Sequence, residues 1–193
     1  MSTMDGLLDA RVLQALIAGT VVALGWVFNG RQNRRQAENL RAERLRDAHR
    51  ALFAEIRNAC SDFWANGEAD QLDEQLLAKL DADPDFTPFF PREVHDRVFQ
   101  ALLPQIDILP RQTIDAIVAF YATVGSIAAL VEDMRGEQFA TLDVERRKAV
   151  YRSYHEMRRR AFAIGQRAMK LIDAYADGGP DAARRLLQRM KQR

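Results

Sequence analysis

The chain has few residues of the kinds that carry out chemistry. Among its 193 residues there is one cysteine, Cys60, so an internal disulfide is excluded. The three histidines, His49, His95 and His155, stand far apart, and none has the spacing of a zinc or di-iron motif. There is also no glycine-rich phosphate-binding loop. We therefore predict that the protein is not an enzyme, and we assign it no catalytic residue, no cofactor and no metal.

The chain also lacks the alternating apolar and polar residues of a β-strand. Apolar residues recur instead at intervals of three and four, which is typical of amphipathic helices. We predict an all-α protein in which an N-terminal transmembrane helix continues into a stalk and a cytoplasmic bundle of about four to six helices. The helices predicted after the transmembrane segment span residues 31–66, 70–80, 91–103, 110–134, 141–176 and 181–191.

Charge is missing from residues 12–28, VLQALIAGTVVALGWVF. As a helix this stretch would cover about 25 Å, slightly less than the ~30 Å hydrocarbon core of a bilayer. Its leucine, isoleucine, valine and phenylalanine side chains favour insertion by roughly 3–5 kcal/mol. We predict a transmembrane helix here. The alternatives are a core helix of a soluble protein and a cleaved signal peptide, although a signal peptide carries its positive charge before the apolar run.

The residues flanking this stretch differ in charge. Residues 1–10 contain two acids and no base, whereas Arg31, Arg34 and Arg35 follow the stretch. Lys and Arg near a span stay on the cytoplasmic side, so we predict a single-pass signal-anchor protein of the bacterial inner (cytoplasmic) membrane with its N-terminus outside. Trp26 and the three arginines are its predicted contacts with the membrane surface. The predicted divisions are a short extracytoplasmic N-terminus at 1–11, the transmembrane helix at 12–28, a basic juxtamembrane stalk at 29–50 and the helical cytoplasmic domain at 51–193.

Small residues form a stripe within the predicted span. Ala15, Gly19 and Ala23 are spaced by four and share one helix face, which allows two helices to approach closely. This stripe predicts a homo-oligomer formed through the span, although alanine and glycine are common in spans without associating. At the end of the span, the pair Asn29-Gly30 is a helix-breaking signal, so the span and the stalk are either hinged there or form one continuous helix.

A loop is predicted at residues 83–91, DPDFTPFFP, because three prolines interrupt it. Its three phenylalanines, Phe86, Phe89 and Phe90, either plug the base of the bundle or form an exposed contact site for a partner. Large exposed apolar patches are rare on soluble surfaces, which favours the plug. The apolar helix at 110–134 carries Asp115 and Ser126, and we interpret it as a core helix and not as a second span. Cys60 lies on an apolar stripe and is predicted to be a buried core residue.

The last predicted helix, 181–191, carries five bases around it and its flanks and is either solvated or in contact with the cytoplasmic leaflet. Nucleic acid is not an expected partner, because the chain has a net charge of +1 and its basic helix lacks interleaved aromatic residues. The expected partners are the lipid bilayer, a further copy through the span, and an unknown cytoplasmic protein.

A short N-terminus, a span, the arginine-rich exit GRQNRRQAENLRAERLRDAHRALFAEI and a helical domain follow one another in this chain. This layout resembles uncharacterised single-span inner-membrane proteins of bacteria and their prophages, and the resemblance covers the first sixty residues best. The resemblance implies a location at the inner membrane. The chain departs from small phage holins by its large cytoplasmic domain.

Two hypotheses about function follow. The first is a membrane-anchored helical interaction or scaffold module at the cytoplasmic face of a bacterial membrane. The alternative is a phage-type membrane effector, a permeabilising or exclusion protein that oligomerises through its span. An enzyme is the third and least favoured hypothesis.

Overall fold

The computed structural model of the protein describes residues 2–64, 69–83, 86 and 88–192, and within these it describes all side chains except those of 2–25, 27 and 69–73. The chain divides into two units, Met1–Arg44 and Leu45–Arg193, each described by itself below. Every regular element in the described residues is a helix, which confirms the all-α prediction.

Six α-helices and one 3₁₀ helix follow one another along the described chain. They are α1 (Ser2–Trp64), α2 (Ala69–Ala82), α3 (Arg97–Leu102), the 3₁₀ helix (Leu103–Ile108), α4 (Arg111–Arg135), α5 (Glu137–Ala140) and α6 (Val144–Lys191).

Two predicted boundaries differ from the structure, and a third lies where no comparison is made. Of the two alternatives at Asn29-Gly30, the hinge was wrong, because α1 stays helical through both residues. The helix predicted to begin at Pro91 begins instead at Arg97, six residues later, and residues 91–96 have no regular secondary structure. The helix end predicted near residues 66–67 lies outside the described residues.

The predicted break between the last two helices is confirmed inside α6. Gly178 has φ −141° and ψ 21°, and Gly179 has φ 64° and ψ −161°, so neither residue is helical. The positive φ of Gly179 is readily adopted only without a Cβ, and Pro180 then restarts the helix.

The core of the second unit is formed by α4, α6 and the part of α1 from Leu45. Side chains at helical spacing on each of these segments are almost fully buried, so each helix turns one stripe inward. On α1 these residues are Leu52, Ile56, Ala59, Cys60 and Phe63; on α4 they are Ile117, Phe120, Val124 and Ile127; on α6 they are Ala161, Ala168, Leu171 and Ile172.

The helix α4 lies in this core, although it is unusually apolar. Among the residues that the structure describes, it is the one helix long and apolar enough to cross a membrane by length and composition alone, with a mean hydropathy of 1.9. Core helices of soluble proteins meet the same test, and nine residues of α4 are buried against its neighbours. Most of the predicted transmembrane helix, 12–28, lies outside the residues whose side chains the structure describes.

The three core helices approach one another closely at Gly165 of α6. A Cβ atom on this residue would lie 2.4 Å from Cys60 Sγ of α1 and 2.9 Å from Phe120 Cε2 of α4. Heavy atoms in proteins do not approach so closely, so only glycine fits without a shift of its neighbours. The absence of a side chain at this position therefore sets the distance between the three helices.

Two matched glycine substitutions test this packing. Gly165→Ala should lower the free energy of unfolding by about 1–3 kcal/mol, because overpacking outweighs the gain in helix propensity. Gly125→Ala on α4 should raise it by up to about 1 kcal/mol, because Gly125 is exposed and a Cβ atom added to it would have no neighbour within 4 Å. Urea unfolding followed by circular dichroism measures both. Equal effects of the two substitutions would contradict the close contact.

Candidate functional site

An irregular segment at residues 88–96, here called the ridge, lies on the surface of the second unit. Arginines from two helices hold the chain at and just before it: Arg135 Nη1 of α4 donates to the carbonyl of Phe90, and Arg147 Nη1 of α6 donates to the carbonyl of Phe86 at 3.0 Å. Pro88 and Pro91 lack an amide donor, which disfavours a helix here. The ridge is therefore fixed by side chains of the neighbouring helices.

Glu55 of α1 fixes the end of the ridge. Its carboxylate accepts hydrogen bonds from the amides of Val98 and Phe99 at 2.7 and 3.1 Å, and from the Tyr121 hydroxyl at 2.7 Å. These bonds satisfy amides at the start of α3, which explains why that helix begins at Arg97 and not near Pro91. Glu55 was not singled out from the sequence. The available signal was an acid placed among the apolar residues of the core stripe of α1.

The three phenylalanines of the predicted contact site occupy different environments. Phe90 is 5% exposed, and its ring centroid lies 6.0 Å from Phe139, 6.1 Å from Tyr151 and 5.9 Å from Tyr154. Phe86 is half-buried. Phe89 is 83% exposed, and its ring meets only the Arg135 guanidinium among the described cation–π pairs, 5.8 Å from the centroid. A role of these residues in partner contact stays a prediction.

A cavity of about 350 Å³ opens between the ridge and α4, here called the groove. Its walls are mainly apolar, and Val94 on the ridge side is 57% exposed. The apolar lining residues are Phe63, Pro91, Val94, Val124, Ile127, Ala128, Ala129 and Val131. A size near 300 Å³ and a mainly apolar lining are common features of binding sites.

A bidentate ion pair borders the groove. Arg92 Nε and Nη2 lie 2.8 Å from the two carboxylate oxygens of Glu132, which ties the ridge to α4. Both side chains remain largely in solvent, with 67% and 52% of their surface exposed. Their charges are therefore accessible to another molecule.

A polar cluster also borders the groove. His95 Nε2 is 3.1 Å from Glu93 Oε2, and its Nδ1 is 3.8 Å from Asp62 Oδ2. The hydrogen bond with His95 lowers the pKa of the Glu93 carboxyl, although partial burial opposes this shift. Arg158 donates to the Tyr154 hydroxyl at 2.7 Å and to the Asp62 carbonyl at 2.5 Å, which joins α6 to the end of α1.

The polar cluster brings carboxylate, imidazole and guanidinium groups together beside the groove. Within the described residues, no group of three or more histidine, cysteine, aspartate or glutamate side chains could hold a metal ion. Cys60 is 2% exposed, and burial raises its pKa to about 12, so its thiol is a core group and a poor nucleophile. The groove and its borders thus present an apolar cleft, an exposed aromatic ring and charges of both signs.

His49 is buried where the second unit begins. It is 5% exposed, its Nε2 lies 3.0 Å from Thr113 Oγ1, and its ring packs edge-on against Tyr175 at 5.3 Å. Burial lowers its pKa to about 4. The imidazole is therefore neutral at pH 7 and joins α1 to α4 through one hydrogen bond.

In the first unit, the predicted membrane-surface residues are exposed. Trp26 and Phe28 have 81% and 72% of their surface in solvent, and Arg31, Arg34 and Arg35 are exposed as well. The backbone of Ala15, Gly19 and Ala23 belongs to α1, but their side chains lie outside the described residues. At the other end of the chain, Leu186, Leu187 and Met190 pack against the core while Arg184, Arg185, Arg189 and Lys191 are exposed.

Comparison with known proteins identifies no relative: no family model matches the chain, and neither curated proteins nor solved structures give a significant match.

The buried His49 makes stability depend on pH. Its pKa is about 4 in the folded state and near 6.5 when unfolded, so the unfolded chain binds the proton first as the pH falls. The contribution is therefore complete above pH ~6.5 and is lost as the pH falls towards 4, at an expected cost of about 1–3 kcal/mol.

Urea unfolding at pH 7 and pH 4.5 measures this loss. His49→Gln, which keeps a hydrogen-bonding side chain without a titrating group, should lose less stability than the parent over the same interval. His95→Gln is the comparison at the partly exposed histidine. Equal pH dependence in the parent and His49→Gln would contradict the assignment.

Proposed function

We propose that the protein is a membrane-anchored helical interaction module, held at the cytoplasmic face of a bacterial membrane by residues 12–28. The observation that carries the proposal is the exposure of Trp26 and Phe28, 81% and 72%, at the end of an uncharged apolar stretch. Burying an apolar side chain is favourable by roughly 25 cal/mol for each Å² of its surface that is removed from water. A bilayer would cover them, and Trp is favoured at its interface.

The residues that follow support the same placement. From 29 to 44 every described side chain is exposed, and this part of α1 is rich in arginine. Isolated helices are marginal in water, so a helix with no buried face needs a further source of stability. Arginines near anionic headgroups gain about 1 kcal/mol each, and their position after the span favours a cytoplasmic second unit.

The surface of the second unit supports binding as its activity. Its groove, the exposed Phe89 ring and the Arg92–Glu132 pair together have the apolar centre and charged rim of an interaction site. The ridge that carries them is held in place by Arg135, Arg147 and Glu55, so little order has to be gained on binding.

Charged substitutions in the apolar stretch 12–28 and in α4 should show which of the two anchors the chain in the membrane. Leu16→Asp/Val21→Asp should move the chain from the membrane pellet to the aqueous fraction, because two aspartates cost roughly 5–7 kcal/mol in a span, more than the apolar residues supply. The matched control is Val118→Asp/Ala122→Asp on the exposed face of α4, which should leave the chain in the pellet.

Carbonate extraction followed by quantification of both fractions measures this difference. The anchor would be refuted by a parent chain that is already in the aqueous fraction. Release by the α4 substitutions alone would assign the membrane contact to α4 instead.

The orientation can be tested with single cysteines in a Cys60→Ala background. A membrane-impermeant maleimide should label Ser2→Cys in intact spheroplasts, and should label Gln192→Cys only after lysis. The reason is that the arginines after the span hold the second unit on the cytoplasmic side. Labelling of Gln192→Cys in intact spheroplasts would reverse the proposed topology.

A further inference from the structure

The surface of the second unit contains both a projection and a hollow. The projection is Phe89, which is 83% exposed, and the hollow is the groove of about 350 Å³. In the sequence of the ridge and in that of α4, the Arg92–Glu132 pair lies between a residue at Phe89 and a residue of the groove. On the ridge, Arg92 separates Phe89 from Val94; on α4, Glu132 separates the groove residue Val131 from Arg135, which contacts Phe89.

We infer that two copies of the second unit associate about a twofold axis near the Arg92–Glu132 pair, with Phe89 of each copy entering the groove of the other. An interface of this symmetry uses one patch twice, so the patch must complement itself. A patch that has a projecting ring beside an apolar hollow meets this requirement. Binding of an unrelated partner would require only the ring or only the hollow.

The charges meet the same requirement. A twofold rotation about the ion pair brings Arg92 of one copy near Glu132 of the other, and the reverse, so four alternating charges surround the axis. Both side chains are exposed enough to form these contacts while keeping their bond within the chain. Opposite charges in register favour this pairing and oppose others.

The projection is also suited to act as an anchor. Burial of Phe90 and the bond from Arg135 to its carbonyl hold the backbone beside Phe89, so its ring is presented without prior ordering of the chain. Buried aromatic rings and arginines dominate the binding energy of most interfaces. The groove walls that would receive the ring are the apolar side chains of Val94, Val124 and Ile127.

This inference deepens the proposed function, since it names a second copy as a partner of the module. It does not use the span stripe Ala15, Gly19 and Ala23, which predicts association through a different part of the chain. The test therefore has to distinguish the two contacts and remain valid for a chain that is not in the membrane.

Charge reversal in full-length chains provides that test. One chain carries Arg92→Glu, which places two carboxylates at positions 92 and 132, and the other carries Glu132→Arg, which places two guanidinium groups there. Each is co-expressed as two differently tagged copies of itself, and the two are co-expressed with each other, before capture from mild detergent or from the aqueous fraction. Exposed ion pairs contribute little to folding, so both variants should fold, as circular dichroism would show.

The expected result is a loss of self-capture of about tenfold or more for each variant, and recovery to the parent level when acidic and basic chains are mixed. Capture that is the same for every combination would overturn the inference and assign association to the span. Absence of self-capture by the parent, or loss without recovery on mixing, would also overturn it. Fractionation of the same samples reports on membrane anchoring separately.

A second variant tests the ring itself. Phe89→Ala should reduce self-capture by about tenfold or more, because the groove loses the side chain that fills it. Leu103→Ala is the matched control, since Leu103 is also a large exposed apolar residue, with 42% of its surface in solvent, and lies outside the groove lining. Equal effects of the two substitutions, or none from Phe89→Ala, would overturn the inference.

Discussion

The close approach of three helices at Gly165 determines the rest of the second unit. Because no Cβ lies between Cys60 and Phe120, α6 packs directly against both α1 and α4. This contact fixes α4 beside the core, where its buried residues Val124 and Ile127 and its exposed residue Ala128 line the groove. It also places Tyr151 and Tyr154 of α6 where they meet the ridge. A displacement of the helices at Gly165 would therefore be transmitted to the surface, because the packed side chains between them do not compress easily.

Phe89 and Phe90 are adjacent on the ridge but lie in opposite environments. The ring of Phe90 packs among Phe139, Tyr151 and Tyr154, whereas the ring of Phe89 is exposed. Arg135 strengthens this arrangement, because it bonds to the Phe90 carbonyl and covers part of the Phe89 ring. The two interpretations of the phenylalanine loop, a plug and an exposed surface, thus describe adjacent residues of one segment.

Much of the helical fold could be predicted from the sequence, because it depends on spacing within each segment. The bounds of α2 and α4 and the break at Gly178 and Gly179 follow from local patterns and from backbone preferences. The delayed start of α3 could not be predicted, since it depends on Glu55, more than forty residues away. The groove was missed for the same reason: its walls come from α1, the ridge, α4 and α6. Asn29-Gly30 shows the opposite error, in which a local signal is overridden within a long helix.

Apolar composition alone does not determine where a helix lies. The helix α4 is apolar enough to cross a membrane, yet its apolar residues find complementary surfaces on α1 and α6 of the same chain. Trp26 and Phe28 end an uncharged stretch and are exposed, so no described side chain covers these two residues. Hydropathy measures how strongly a segment favours an apolar environment over water. Whether that environment is protein or lipid depends on which apolar surfaces the segment can contact. The two apolar segments of one chain can therefore have different environments, one supplied by protein and the other, as proposed, by lipid.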